Sequence, residues 1–460
     1  MHVIRFRRLS RFRMITNQRG ISLVLTLVLI AFLAVLGSTA VKMTTTDLSI
    51  GATYKSTQAA FYHAEAGLAY TLSRLSDLLD TGALSLDGRL ATESHRFTPP
   101  AGLTFQIEGR DTFMRVSDTR NYVARIIGRP LPNSPIRRTL EVVMRRRSAL
   151  PYGVFGGDRV DLPATGAIYS YDTSRSQNPT PDISSRSVDI ASNTEVRAQA
   201  SHLALNIDGA ITLGARSDGT DATFTFREPE PDVGPPPTTV PVGGGHKLRL
   251  LDGDHLDPDP LNALAMVEDA ARQLRADNDN TTVPAISDES LTDSATLTAG
   301  QYYLKAMELG EGTSLELDAR EGDIEIFTQS LALTGAMDVT AHTQGQGTVT
   351  IYLDGPGHFG TTSSAQQPTV TMTGPPTHFR IFSSSDEPLA FHHHGDFAAL
   401  VYAPRASLSL GNSSATASGL LWAKTVTFNR EPYTFYVDTS IPSLFLTTRM
   451  DIVSWKELRD

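Results

Sequence analysis

Three clusters in this sequence have residue types suited to metal chemistry. His392, His393 and His394 are consecutive, with Asp396 two residues on. Neighbouring strand residues point to opposite faces, so only His392, His394 and Asp396 share a side. No further ligand stands close in sequence, and a solvated turn is the simpler reading. Asp252, Asp254, Asp257 and Asp259 sit in the spacing of a calcium loop. Leu256 takes a position that needs an oxygen donor, and the central glycine and closing glutamate are missing. An acidic loop ahead of a helix fits better. Asp277-Asn278-Asp279-Asn280 is also oxygen-rich and reads as a helix stop. No metal and no cofactor are expected. Cysteine is absent, which removes thiol nucleophiles, disulfides and zinc-thiolate sites. No nucleophile triad, phosphate loop or dinucleotide fingerprint appears, so no catalytic residue is assigned. The body must be held by its core and its backbone pairing alone.

A different kind of chemistry is written at the N-terminus. Six arginines (Arg5, Arg7, Arg8, Arg11, Arg13 and Arg19) and no acid precede the uncharged run 21–41. At about 1.5 Å per residue that run spans roughly 30 Å, a bilayer's hydrocarbon thickness. The arginines should stay cytoplasmic and the rest should cross. Three fates are open for the segment: cleavage after a weak small-residue site at 37–40, retention as a plain signal anchor, or a cut between Gly20 and Ile21. The last would keep the apolar helix, and a glycine lets a protease approach the backbone closely. Leu25, Leu29, Leu33 and Leu36 would then form a packing face for neighbouring helices in the membrane.

The stretch 18–51, followed by 58–72, resembles the N-terminal domain of PilX-type minor pilins. The residues that carry the likeness are the Gly-ended basic leader, the apolar run, and the small-residue motif Ala60, Ala64, Glu65, Ala66 and Gly67. The resemblance implies a helical subunit of a type IV pilus or type II secretion-like filament. Other pilins and prepilin peptidase would be its partners. Major pilins carry a glutamate as fifth mature residue. Leu25 stands there in this chain, which suits a minor or tip subunit.

The remaining chain divides by texture. The leader is 1–20, the membrane helix 21–41 and its periplasmic continuation 42–82. In that continuation Leu48, Ala52, Ala59, Phe61, Ala64, Leu68, Leu72, Leu75 and Leu79 recur at mostly three- and four-residue steps. Region 97–147 holds three strand-like runs, at 103–108, 122–127 and 139–144, and reads as a small pilin-like antiparallel sheet. Region 152–227 is short apolar pieces between turns, 228–245 a proline- and glycine-rich linker, and 261–276 an amphipathic helix. Short strands return over 295–440, and 441–460 is left as a tail. Strands this short must stack to bury a face. The chain is therefore expected to be mainly β with one long transmembrane α-helix. Its body is expected to be a right-handed parallel β-helix, or solenoid, whose two parts are 152–227 and 295–440. A β-sandwich or jelly roll is the alternative. The cadence of 399–428 resembles the solenoid-type region of exported PilX-like adhesins.

Hydrophobic residues are 40 % of the chain and charged residues 20 %, which fits a folded body rather than a disordered one. The leader carries six positive charges and no acid, so losing it takes the net charge from −10 to −16. An acidic exported body excludes nucleic acid as a natural partner. The functional expectation is a non-enzymatic minor pilin or pseudopilin anchored in inner-membrane lipid by a single pass. Its N-terminus would be cytoplasmic and its body periplasmic, surface-exposed after assembly, with adhesion to a cell surface or polysaccharide as a further role. The alternative is a membrane-tethered carbohydrate-active β-helix enzyme, which would need clustered acids and bases on one face.

Overall fold

The computed structural model describes residues 18–80, 100, 102–108, 114–115, 121–163, 166–171, 188–198, 205–207, 209–214, 223–226, 239–242, 246–252, 255–334, 338–342, 347–360, 368–411, 417–429 and 433–458. The leader 1–17 and most of the linker 228–245 lie outside them. The chain forms two compact units, Met1–Arg146 with Thr448–Asp460, and Arg147–Thr447.

The first unit begins with one unbroken helix, Gln18–Asp80. Its first half is apolar on every side. Hydroxyls that would be costly in lipid bond back to the helix's own carbonyls: Thr26 to Ser22 at 2.8 Å, and Thr39 to Val35 at 2.8 Å. Its second half lies on an antiparallel sheet. Strands Phe105–Glu108 and Arg138–Ser148 flank Asn121–Gly128. All three coincide closely with the runs expected from sequence. A further strand was not expected. Leu446–Leu458, inside the supposed tail, joins the sheet beside Arg138–Ser148. Phe105, Ala124, Ile126, Leu140, Val142 and Met144 form the sheet's buried face.

The second unit is built of parallel strands whose partners lie one turn of chain away. Its central ladder runs through 300–304, 324–328, 349–353, 379–383, 397–403 and 417–423. The advance per turn, read from Tyr302, Ile326, Ile351, Ile381, Val401 and Leu421, is 24, 25, 30, 20 and 20 residues. A second parallel ladder follows from Met307 through Leu331 and Leu389 to Val426, and a third joins 295–298, 314–318, 338–342 and 369–373. The described antiparallel pairs are the hairpins 286–291 and 239–252, one at each end of the sheet. Hairpins there cover ladder edges that would otherwise invite a foreign strand. The first turns tightly at Asp288 and Glu289, both at positive φ. Parallel pairing throughout the rest is unlike the antiparallel sheets of a sandwich or jelly roll.

Stack order is not chain order. Strand Ala417–Phe428 pairs on its far side with Val154–Leu162, and that strand pairs onward with 188–192 and 195–198. The body's first strands therefore continue the stack beyond its last ones. The chain must travel back from 252 to 286, and helix Ala263–Ala276 makes much of that return. Fourteen residues at 1.5 Å rise give roughly 21 Å, and five stacked turns at about 4.8 Å span roughly 19 Å. The helix packs against five successive turns, 300–304 to 397–410.

It lies over a column of aromatic rings. Tyr303, Phe327, Tyr352, Phe382, Tyr402, Trp422 and Phe155 occupy the same register position in seven successive turns. Each stands one residue beyond an inward-facing position, so strand alternation puts them on the outer side. Val267 and Leu274 of the helix close over them, fully buried. Centroid spacings such as 5.1 Å for Tyr303–Phe327 and 4.1 Å for Phe155–Trp422 are those of stacked rings.

Candidate functional site

The expected site residues fall into three groups. The cleavage position, between Gly20 and Ile21, lies on the long helix. From Ile21 onward the helix stands bare. Leu25, Leu29, Leu33 and Leu36 are between 50 % and 70 % exposed, and so are Leu23, Leu27, Ile30 and Val35 on its other sides. The apolar surface is a full cylinder, wider than the leucine face read from sequence. The stretch Ile21–Arg74 includes a window of mean hydropathy 2.7, long enough to cross a membrane. A helix apolar all round needs lipid or other helices about it.

The small-residue motif does something different. Ala60, Ala64, Gly67 and Thr71 form the helix's fully buried line. Gly128 of the central strand lies directly under it. A Cβ on Gly128 would fall 2.0 Å from the Ala60 carbonyl oxygen and 2.4 Å from the Ala64 nitrogen. A Cβ on Gly67 would fall 2.7 Å from the Phe105 ring and 2.8 Å from Ile126. The motif is thus the contact line of helix on sheet, where backbone approaches backbone. Ala66 is half-buried beside the line, and Glu65 points to solvent. Leu48, expected on the packing stripe, is 68 % exposed. Close approach selects small residues, which is why the leucines flank the line instead of forming it. Gly128 and Thr71 were missed from sequence. Their signal would have been a glycine closing the strand opposite the alanines.

The oxygen-rich stretches serve the body's architecture. Asp259 Oδ1 accepts hydrogen bonds from the Tyr402 hydroxyl at 2.5 Å and the Ala263 N–H at 2.8 Å. The Leu261 N–H donates to the same hydroxyl at 3.0 Å, and Trp422 Nε1 donates to the Pro258 carbonyl at 2.7 Å. Asn193 grips the backbone of Leu256 from both sides. At the helix's other end Asn280 does the same to Tyr303, and Asp279 accepts from the Gln301 N–H at 2.9 Å. Both clusters fasten the return segment to the aromatic column. His392 and His393 are buried rather than solvated, which corrects the expected turn. His392 meets the Ser409 hydroxyl at 3.2 Å, and His393 faces its neighbour's carbonyl at 3.2 Å. Burial pushes the His393 imidazole down to about 4. Among the described residues no group of three or more His, Asp or Glu could hold a metal ion.

The body also has an open cleft of about 530 Å³. Asp158, Asp386, Arg405, Lys424 and His255 line it, with Asn193, Thr194 and Pro258. All of these but His255 and Pro258 come from the corners between the central and second ladders. Residues 384–388, 404–406, 424, 157–158 and 193–194 are the corners of five successive turns. Lys424 lies 4.0 Å from Asp158. Among the described residues neither Arg405 nor Asp386 has an ion-pair partner. This cleft was not foreseen from sequence.

These features describe a single-pass, membrane-anchored chain with a helix-on-sheet unit and a β-rich body. Residues 19–69 match the PilX N-terminal family model. The matched segment holds both the bare cylinder and the contact line, and it supports a pilus-associated minor pilin of PilX type. Residues 252–444 match a second model, described as a domain of unknown function (DUF7305). That segment starts at Asp252, ahead of the return helix, and leaves out the turns 154–251. No curated protein matches the chain. Among solved structures, the competence-associated pilin ComZ from Thermus thermophilus aligns over 88 % of this chain and 97 % of its own, at 10 % identity and a TM-score of 0.26.

Proposed function

We propose that this chain is a non-enzymatic minor subunit of a type IV pilus or a type II secretion-like filament. Prepilin peptidase cuts after Gly20, with the arginine leader in the cytoplasm. The helix from Ile21 stays in inner-membrane lipid with the body in the periplasm. On assembly, helices of other pilins replace lipid around the cylinder. The exposed β-rich body, read as a β-solenoid, then serves surface recognition and adhesion. The observation that carries this reading is the division of labour within 19–69. Its apolar half has no partner among the described residues, while its alanine–glycine line is packed on its own sheet. A merely structural core helix would bury both halves. The corner cleft gathers acids and bases on one face, as the enzymatic alternative requires, but neither matched family is described as an enzyme.

The test replaces Gly20 with leucine. The variant should retain its leader and stay out of filaments while the body remains folded and membrane-bound. Filaments that incorporate G20L as well as the parent chain would refute the proposal.

A further inference from the structure

We infer that the corner cleft of the body is a binding site for an acidic saccharide, with a sugar carboxylate seated on Arg405 and Lys424. This rests on the adhesion reading above and gives it a site and a ligand class. The corners of successive turns stack, so their outermost residues form a column: Asp386, Arg405, Lys424, Asp158, then Thr194. Successive members of a parallel ladder are about 4.8 Å apart. The column therefore presents an acid, two adjacent bases, an acid and a hydroxyl at regular steps along roughly 19 Å of surface. Residues 386, 405 and 424 are also 19 residues apart in sequence, as consecutive corners of short turns must be.

Two features make this column more than a solvated face. First, its charges are left available. Arg405 and Asp386 have no ion-pair partner among the described residues, and Lys424 holds Asp158 only at 4.0 Å. Elsewhere on the same ladder, charges are closely paired: Arg159 with Asp161 at 2.9 Å and Arg197 with Glu195 at 2.7 Å. Second, the column borders a cleft whose wall is rigidly held. The segment 255–258 forms one side and is fastened by Asn193 to Leu256 and by Trp422 to Pro258. A preformed wall lowers the ordering cost of binding.

The chemistry selects the ligand class. Arg405 donates in a planar fork that matches a carboxylate, and Lys424 adds a second cation beside it. Asp386 and Asp158, outside this pair, accept hydrogen bonds and suit sugar hydroxyls. The cleft has no Phe, Tyr or Trp among its lining residues, so it lacks the broad platform that would hold a neutral sugar by stacking. An oligosaccharide with one uronate between neutral sugars meets these needs, with its carboxylate at the centre and hydroxyls on either side.

The experiment uses the full chain in detergent, with an oligosaccharide carrying one uronate between neutral sugars as probe and dextran oligomers as neutral control. The parent protein should bind the uronate, weaken with added salt, and ignore dextran. R405E/K424E should lose about tenfold or more in affinity with an unchanged melting temperature. D386N/D158N should weaken binding less, since it removes acceptors and leaves the bases. Uronate binding that survives R405E/K424E, equal binding of dextran, or no binding by the parent chain would each overturn the inference. Filament incorporation of R405E/K424E, scored separately, should match the parent. That separates failure of this site from failure of the pilin reading.

Discussion

Replacing Gly128 with alanine adds one methyl group at the point where the long helix meets its sheet. That methyl would lie 2.0 Å from the Ala60 carbonyl oxygen and 2.4 Å from the Ala64 nitrogen. Both are helix backbone atoms and cannot rotate away. To reach an ordinary carbon contact of about 3.5 Å, the helix must retreat by more than roughly 1 Å. The retreat loosens the layer in which Ala64 packs on Ala124, Ile126, Leu140 and Val142. Overpacking of this kind costs about 1–3 kcal/mol. The assay is amide hydrogen exchange on the full chain in detergent. Protection should fall in 121–128 and in the helix around 60–71, by about ten- to a hundredfold for 1.4–2.8 kcal/mol. Protection in the ladder 324–328 to 397–403 should not change. Glu65, pointing to solvent, provides the control, and E65Q should stay within about 0.5 kcal/mol of the parent. Unchanged exchange in G128A would show that the motif is not a close-contact line.

Three further outcomes follow. Tyr402→Phe should destabilise the body by about 1–2 kcal/mol in denaturant titration, because the Leu261 N–H and an Asp259 oxygen each lose a partner; an unaffected midpoint would remove the clamp. His393 is held down to about 4 by burial first; its hydrogen bond to the His394 carbonyl opposes this, and the charges of His392 and His394 push the same way as burial. The unfolded chain protonates below its ordinary value near 6.5, while the fold keeps the imidazole neutral. Stability is therefore whole above that value and lost as pH falls toward 4, by on the order of 3 kcal/mol. His393→Gln should flatten that slope in thermal melts between pH 7 and 4, and an equally steep slope would refute the assignment. Leu25→Glu should not improve filament assembly, since an unpaired carboxylate in lipid costs about 2–3 kcal/mol; improved incorporation would contradict a minor-subunit role.

Local elements were largely legible, because alternation and turn residues are local signals. The strands at 314–318, 324–328, 349–353 and 369–373 fall in the span 295–440 that reads as short strands in the sequence. Stack order was not legible. Turns of 20 to 30 residues show no fixed period, and nothing local says that Trp422 stacks on Phe155. The linker region was misread in part, since 239–242 forms a strand against 246–252. The strand Leu446–Leu458 escaped notice because its residues 452–457 stay exposed, Trp455 among them, and show no buried alternation. The PilX-like motif was recognised as a pattern before its role was clear. That role needs Gly128, which comes near the helix only through the fold. The corner column was hidden for the same reason: a spacing of 19 residues means little until those residues are known to be corners.

The most direct test of the account is the N-terminus of the protein extracted from membranes and filaments, read by intact-mass and peptide mass spectrometry. A chain beginning at Ile21, with the apolar helix retained, is the expected result. A chain beginning at Met1, or near Lys42 with the helix removed, would contradict it.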